Sequence, residues 1–245
     1  MAQWFENWFD SPYYHKLYFD RDETEAAAFI HKIIDYVKPL PNAYMLDVAC
    51  GKGRHALTMA QHNYTVTGID ISPSSIAYAK QFETEKLEFF EHDMRLTFRI
   101  NYYDIAFNLF TSFGYFNTLR EHQAALRTIA QSLKPNGLFV MDYLNANYVQ
   151  QHLQANEIKV IDGTTFTLNK HQTNLHFIKH IKIEDAALPT ALDYTEQVAT
   201  FTLPQFETMF AKQGLVIEQV FGNYNLNAYD SSNSKRLVMV ARKKG

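Results

Sequence analysis

Apolar residues in the first half of the chain recur with two different spacings. Within 24–37 they fall at i, i+3, i+4 and i+7, which predicts an amphipathic helix. Pro39 and Pro41 end that helix, and the short apolar run 44–49 that follows is typical of a buried parallel strand. The residues of the helical stripe are Ile30, Ile33, Ile34 and Val37.

The same alternation of strand and helix continues as far as residue 143. Ser72 precedes Pro73, a combination of N-cap residue and first-turn proline that starts a helix. Strands that alternate with helices form parallel sheets with helices on both faces, so we expect an α/β fold with a doubly wound sheet. The predicted helices cover 54–62, 73–82 and 121–133, and the predicted strands cover 65–69, 87–90, 104–110 and 138–143.

The pattern changes after Asn147, where four strand-like segments follow one another without a helix between them. They predict an antiparallel insertion. Thr202 and Gln205 then form a capping box at the start of a helix that Gly214 ends. The strands of the insertion cover 158–161, 165–168, 177–183 and 194–201, and two last strands, 215–221 and 237–241, close the chain.

Composition and charge narrow the class of protein. The chain has 245 residues, of which 47% are hydrophobic, enough for one large folded domain. Its 23 Lys and Arg against 26 Asp and Glu give a net charge of −3, so no overall basic field attracts nucleic acid or anionic membranes. The one cysteine, Cys50, excludes an intramolecular disulfide framework, a cysteine-based zinc site and an iron–sulfur cluster. No metal site, signal peptide or membrane span is predicted, and a cytoplasmic location is expected.

A glycine turn follows the first predicted strand. Gly51, Gly53 and Ala56 match the relaxed dinucleotide pattern G-x-G-x-x-A, in which the backbone approaches a ligand closely at a helix N-terminus. An ordinary strand-to-helix turn can have the same residues. Two acids favour a ligand site: Asp47 lies in the strand, and Asp70 lies 19 residues after Gly51, where a carboxylate can accept hydrogen bonds from ribose hydroxyls.

A third acid distinguishes between two kinds of nucleoside ligand. Asp93 comes just after the third predicted strand, where its carboxylate can accept from an adenine amino group while the backbone of Met94 meets a ring nitrogen. With this acid, five ordered motifs resemble those of the class I S-adenosylmethionine-dependent methyltransferases, in particular those that act on small molecules. The likeness covers 44–145 closely and 202–243 less closely. The motifs are Asp47 to Gly53, Gly68 to Ser72, His92 to Met94, Tyr103 to Asn108 and Leu133 to Leu138.

The resemblance implies a single methyltransferase domain, 1–245, with a Rossmann-like sheet of seven strands that is mostly parallel and has an antiparallel final strand. In such a domain 1–40 would form an N-terminal cap segment and helix, and 41–147 the cofactor-binding core. Residues 157–201 would form an antiparallel β insertion that acts as a lid over the acceptor pocket. Residues 202–245 would complete the core sheet.

The resemblance also implies that the cofactor is S-adenosylmethionine. Gly51 and Gly53 would line its methionyl part, Asp70 would hold the ribose and Ile71 would pack on the adenine. No catalytic residue is assigned, because methyl transfer from a sulfonium mainly requires positioning. The implied cofactor-binding residues are Tyr14, Asp47, Ala49, Gly51, Gly53, Arg54, Asp70, Ile71, Asp93, Met94 and Asn108. Candidates for a catalytic role are Tyr14, His15, Tyr115 and Tyr143, with His55 and His92 as further possible bases and Tyr13, Tyr18, Phe113 and Phe116 as further aromatic lining.

The expected reaction is methyl transfer to a nitrogen or oxygen of a small polar acceptor, with neither nucleic acid nor membrane as a partner. Residues 108–111, after the fourth strand, lack the Asn-Pro-Pro-Tyr motif of enzymes that methylate amino groups of nucleic-acid bases. Two alternatives stay open. The glycine turn and Asp70 would also suit an NAD-type oxidoreductase, and the lack of an obvious base leaves room for a cofactor-binding regulator without turnover.

Overall fold

The computed structural model describes residues 4–18 and 23–245, which form eight α-helices and eleven strands. Residues 1–3 and 19–22 of the predicted cap lie outside the described residues. The helices are α1 (Trp4–Phe9), α2 (Pro12–Leu17), α3 (Glu23–Val37), α4 (Arg54–Gln61), α5 (Pro73–Ala79), α6 (Leu119–Ser132), α7 (Ala146–Gln151) and α8 (Leu203–Ala211). The strands are β1 (Tyr44–Val48), β2 (Thr65–Asp70), β3 (Leu87–Glu91), β4 (Tyr103–Asn108), β5 (Leu133–Leu144), β6 (Asn156–Ile161), β7 (Thr164–Gln172), β8 (His176–Glu184), β9 (Leu192–Ala199), β10 (Leu215–Phe221) and β11 (Arg236–Lys243).

Seven strands form the main sheet in the order β10-β11-β5-β4-β1-β2-β3. All neighbouring pairs are parallel except those of β11, which runs antiparallel to both β5 and β10. The mostly parallel sheet with an antiparallel final strand is therefore confirmed. The chain order reverses between β1 and β4, and ligands of doubly wound sheets bind outside the carboxyl ends of the strands at such a point.

Two apolar layers cover the main sheet. On one face α3, α4 and α5 pack against the strands, with Ile30 and Met59 among the buried residues. On the other face α6 and α8 do so through residues such as Leu126 and Phe206. Each helix presents one apolar face to the strands, as the periodic spacing predicts. No helix of the described part is long and apolar enough to cross a membrane.

The remaining four strands form a second sheet, in the order β6-β7-β8-β9, and every pair in it is antiparallel. The predicted insertion is confirmed, although β9 ends at Ala199 instead of residue 201. The chain leaves the sheet there because Phe201 packs against the core beside α6 and α8. One face of this small sheet buries Phe166 and Ile183 against Trp8 and Leu17 of the N-terminal helices.

The three shortest helices, α1, α2 and α7, were not predicted. Each has six residues, too few for a period of 3.6 to repeat. A local signal does precede α2, since Ser11 caps it and Pro12 occupies its first turn. These two N-terminal helices lie between the small sheet and the carboxyl edge of the main sheet, where the predicted site residues are found.

Candidate active site

A cavity lies outside the carboxyl ends of β1, β2, β3 and β4, the usual place for a small-molecule site in a sheet of this kind. Seven of the implied cofactor residues and three of the four catalytic candidates line it, with Tyr14 belonging to both groups, and they come from distant parts of the sequence. They are Tyr14, His15, Ala49, Gly51, Asp70, Ile71, Asp93, Met94 and Tyr115. Apolar rings complete the wall, namely Phe5, Phe9, Phe110 and Phe116.

The turn after β1 brings the backbone close to this cavity. Ala49 and Gly51 have φ of 59° and 54°, in the left-handed region. A Cβ on Gly51 would meet nothing within 4 Å, so this side of the turn faces open space that a ligand can fill. Gly53, with φ of 84°, does not line the cavity. It is the N-cap of α4, and a Cβ there would lie 2.6 Å from Cζ of Phe89.

Asp70 is fixed at the edge of the cavity by backbone amides. Its Oδ2 accepts from the amide of Gly51 and its Oδ1 from the amide of Ser72, each at 2.8 Å. Burial raises the pKa of Asp70 above its usual value, although these hydrogen bonds oppose the shift. A carboxylate has about four acceptor sites. Both oxygens can therefore still accept hydrogen bonds from a ligand.

Asp93 also lines the cavity, and its carboxylate already has a strong partner. Arg95 donates to it from Nη2 at 2.6 Å and from Nε at 3.0 Å, and donates from Nη1 to Glu121 at 2.8 Å. Burial opposes ionisation, but the hydrogen bonds and charge of Arg95 hold the pKa of Asp93 below its usual value. Asp93 is thus an ionised acceptor held at the cavity wall. The sequence did not indicate Arg95 as its partner.

Asp47 and Asn108 lie behind the cavity wall. Asp47 is 1% exposed, and burial and the nearby Asp70 raise its pKa to about 7. Its carboxyl accepts a hydrogen bond from the backbone amide of Ala56, and its Oδ2 has no partner among the described residues. Asn108 is fully buried and donates from Nδ2 to the carbonyl of Val48 at 3.0 Å. Both side chains therefore support the turn from below.

Two other sequence candidates also fall outside the cavity lining. The guanidinium of Arg54 lies over the ring of Phe110, 4.5 Å from its centroid. Tyr143 is fully buried, packs edge-on against Phe206 and donates to the carbonyl of Ala199. Burial raises its pKa well above the usual value, so it stays protonated. Arg54 and Tyr143 shape the residues around the site.

Helix α2 covers the cavity with an aromatic ring and an imidazole. Tyr14 packs edge-on against Trp8 and Phe9. Next to it, Nε2 of His15 is buried and has no hydrogen-bond partner among residues 4–18 and 23–245. Burial and the charge of Lys52 lower the pKa of His15, with Asp10 opposing, so the ring is neutral at pH 7. Of the predicted N-terminal tyrosines, only Tyr14 lines the cavity; Tyr13 and Tyr18 face the small sheet.

The loop between α1 and α2 is anchored to the main sheet at the site. Oδ1 of Asp10 accepts from Oγ of Ser72 at 2.7 Å and from the amide of Ser74 at 3.0 Å. Ser72 in turn bonds Asp70 through its amide. The covering helices are therefore joined to the predicted ribose site by two hydrogen-bonded steps. No local pattern in the sequence indicates Asp10, because its partners lie more than 60 residues away.

The other predicted bases are occupied or isolated. His55 is buried against the ring of Phe110, and burial followed by the charge of Arg54 lowers its pKa to about 3. His92 lines the cavity, but its Nε2 is 3.1 Å from the carbonyl of Leu96. Within the described ranges, no group of three or more His, Cys, Asp or Glu side chains is arranged to hold a metal ion.

The comparisons with known proteins agree with this geometry. A family model described as "Methyltransferase domain" matches residues 40–199, well over half of the chain. The chain belongs to this methyltransferase family. An N,N-dimethyltransferase of Streptomyces fradiae, which acts on dTDP-3-amino-3,6-dideoxy-α-D-glucopyranose, is 26% identical to it over 184 residues, or 72% of this chain and 71% of the relative.

Two solved structures resemble the fold of the methyltransferase. One is an S-adenosylmethionine-dependent methyltransferase from Clostridium acetobutylicum, with a TM-score of 0.80, 15% identity and coverage of 95% of this chain and 96% of that one. The other is a sugar N-methyltransferase from Streptoalloteichus, with a TM-score of 0.72, 19% identity and coverage of 94% and 91%. The methyltransferase uses S-adenosylmethionine, and the oxidoreductase alternative is not favoured.

The residues around the cavity fit that cofactor. Gly51 leaves open the space that a side chain would fill, and the carboxylates of Asp70 and Asp93 are fixed at the cavity edge. When bound, S-adenosylmethionine supplies a methyl group on a positively charged sulfur. Aromatic faces attract such a cation and exclude water, and the cavity wall contains six aromatic rings of Phe and Tyr.

Proposed function

We propose that this methyltransferase transfers methyl groups to the amino group of a small polar molecule of the amino-sugar class. The observation that carries the proposal is the neutral His15, whose buried Nε2 has no partner within the described residues and which lines the same cavity as Gly51 and Asp70. The curated relative that dimethylates an amino sugar supports this acceptor class. Its likeness extends over most of both chains.

For the cofactor we propose the roles that the family resemblance implies. The backbone at Ala49 and Gly51 would approach the methionyl part, Asp70 would accept from the ribose hydroxyls, and Asp93 with Met94 would bind the adenine edge. All five residues line the cavity. Asp47, Gly53, Arg54 and Asn108 would act by supporting these residues.

For the acceptor we propose binding under the N-terminal helices and the small sheet, which would act as the cap and lid of one domain, 1–245. The net charge of −3 gives no overall attraction to phosphate, so a nucleic-acid partner is not part of the proposal. A cytoplasmic location remains a prediction from the sequence.

The chemistry of an amine explains why a base is useful. An alkyl amine is mostly protonated at neutral pH, as the usual pKa of a lysine side chain illustrates, and its lone pair can attack carbon only after that proton leaves. His15 is neutral at pH 7 because its pKa is lowered, so one ring nitrogen can accept the proton. The acceptor form of His15 should persist above its lowered pKa and be lost below it.

The test is to incubate the protein with S-adenosylmethionine and pairs of sugars that differ only in an amino or a hydroxyl group, and to measure the product by mass spectrometry. We expect one or two added methyl groups on the amino member and none on the hydroxyl member. Methylation of the hydroxyl members alone would contradict the proposal.

Substitution of His15 tests the proposed base. With an amine acceptor, His15→Gln should lower kcat by roughly 10²- to 10⁴-fold and change the Kd of S-adenosylmethionine little. The wild-type rate should also fall as the pH drops through the lowered pKa of His15, which lies below 6.5, the usual pKa of histidine. His92→Gln is the matched control, because His92 lines the same cavity but already bonds the carbonyl of Leu96. Equal losses in the two variants would mean that His15 is not the base.

A further inference from the structure

Two consecutive residues after β4 have a strained backbone. Phe110 has φ of 56° and Thr111 has φ of 60°, although neither is glycine. A left-handed conformation is uncommon for such residues, and for a β-branched residue such as Thr111 it is a clear outlier. Strain of this kind persists only when surrounding contacts enforce it, and it is concentrated at functional sites.

An ion pair with a buried carboxylate supplies those contacts. Asp142, on β5, is fully buried, and its Oδ2 accepts from the amide of Phe110 at 2.8 Å while its carbonyl accepts from the amide of Thr111 at 3.0 Å. Arg236, on β11, donates from Nε to Oδ1 of Asp142 and from Nη2 to Oγ1 of Thr111, each at 2.8 Å. The hydroxyl of Tyr224 donates to the same carboxylate at 3.0 Å. Both backbone amides of the strained turn are therefore held by one residue.

The strained turn determines which groups reach the cavity. Phe110 and Ser112 line it directly, and Tyr115, which also lines it, donates from its hydroxyl to the carbonyl of Thr111 at 2.6 Å. Asp142 does not line the cavity, and neither does Arg236. The pair thus lies one layer behind the wall of the cavity.

We propose that Asp142 and Arg236 are positioning residues for methyl transfer, which hold the turn at 110–111 in its left-handed conformation so that Ser112 and Tyr115 face the acceptor. The proposal rests on the proposed function only for the choice of acceptor. The Asp142–Arg236 pair should therefore affect catalysis more than it affects binding of the cofactor.

The first variant is Arg236→Gln, which removes the charge and the link to Thr111. We expect kcat to fall roughly 10- to 100-fold, as for a misplacement of about 1 Å, while the Kd of S-adenosylmethionine changes less than about threefold. The kcat of Arg236→Lys should lie between those of the wild type and Arg236→Gln, because an ammonium keeps the charge but cannot reproduce the two directed bonds of a guanidinium. The matched control is Arg242→Gln on the same strand, whose exposed pair with Glu218 has a similar length of 2.7 Å. It should leave kcat unchanged.

A second substitution separates positioning from a general effect on stability. Glycine adopts left-handed φ without strain, so Thr111→Gly in the Arg236→Gln background should restore kcat by at least about threefold, although glycine lowers the stability of the fold. If the pair only stabilises the protein, the double variant should be worse than the single one. That result would overturn the proposal.

A readout without turnover keeps this test independent of the acceptor. Hydrogen exchange at the amide of Phe110 should be faster in Asp142→Asn than in the wild type, since this amide donates to the carboxylate that the substitution changes. The amide of Thr111 donates to the main-chain carbonyl of Asp142, which the substitution keeps. If the wild type methylates no amine, the proposed function fails while the exchange result still reports on the turn. Faster exchange with kcat within about twofold of the wild type on any working acceptor would refute the positioning role.

Discussion

A buried carboxylate joins the N-terminal helices to the small sheet, and its loss should be measurable. Glu196, on β9, is 8% exposed and accepts from Nε1 of Trp8 at 2.6 Å, from the hydroxyl of Tyr18 at 2.7 Å and from Nζ of Lys179 at 2.6 Å. Nearby, Nζ of Lys16 donates to Oγ1 of Thr164 at 2.6 Å. These bonds hold α1 and α2, and hence Tyr14 and His15, against the small sheet.

The substitution Glu196→Gln preserves the size of the side chain and removes its charge. Three donors then face an amide that carries one acceptor oxygen and two hydrogens of its own. Hydrogen bonds to a charged group contribute about 1.5–3 kcal/mol each, and breaking a buried ion pair costs about 3–5 kcal/mol. Because the Lys179 side chain is 23% exposed and can regain water, we expect a loss of about 2–4 kcal/mol. At about 2–4 °C per kcal/mol for a chain of this size, Tm should fall by about 4–16 °C.

Thermal unfolding followed by circular dichroism measures the effect, and a second pair on β8 provides the control. Lys182 and Glu184 are 2.8 Å apart, but both side chains are about half exposed, so Glu184→Gln should cost less than about 1 kcal/mol. A fall in Tm for Glu196→Gln no larger than that of the control would refute the reasoning.

The stabilisation that the Glu196 carboxylate provides should decrease at low pH. Burial opposes ionisation of Glu196, but Lys179 and the hydrogen bonds hold its pKa below the usual 4.5. The stabilisation is therefore fully present above pH 4.5 and disappears as the pH falls through the lower, folded value. The difference in Tm between wild type and Glu196→Gln should shrink on acidification below pH 4.5. A difference that stays constant down to pH 3 would show that the charge of Glu196 is not what stabilises the contact.

Two further predictions concern the cofactor site. Asp70→Ala should raise the Kd of S-adenosylmethionine by roughly 10- to 150-fold in calorimetry, because a hydrogen bond to a charged group contributes about 1.5–3 kcal/mol. An unchanged Kd in a folded variant would show that Asp70 does not bind the ribose. Gly53→Ala should lower Tm more than Gly163→Ala. Both glycines have left-handed φ, but a Cβ at Gly53 would lie 2.6 Å from Phe89, whereas a Cβ at Gly163 would meet nothing within 4 Å. Equal Tm shifts in differential scanning calorimetry would mean that the clash with Phe89 is relieved without cost.

The sequence predicted the elements that are apolar in a regular pattern or have standard caps. The capping box at Thr202 starts α8, and Ser72 with Pro73 starts α5, so local residues determine these boundaries. Helix α6 starts at Leu119, two residues before the predicted 121, because Thr118 and Glu121 form a capping box that the prediction did not use. Helix α1 has no such local signal and depends instead on distant contacts. Trp8 bonds Glu196 across 188 residues, and no local pattern can indicate such a partner.

The candidate site was predictable where residues follow directly after strands. Gly51, Asp70 and Asp93 come at the carboxyl ends of β1, β2 and β3, and parallel strands bring these ends to one edge of the sheet. The partners behind that edge were not predictable in the same way. Arg236 on β11 reaches Thr111, which follows β4, across 125 residues and the intervening strand β5, which only the folded sheet brings together.

Asp47 shows why a residue of a motif can be required without touching the ligand. Gly53 must be glycine, because its φ is 84° and Phe89 occupies the place of a side chain, yet a glycine has no side chain with which to cap α4. Asp47 reaches this helix start from β1 and accepts from the amide of Ala56, in the first turn of the helix. The two residues thus divide one function: Gly53 provides the backbone conformation and Asp47 provides the cap. Asp47 is buried for this reason, and the backbone of the turn is left to face the cavity.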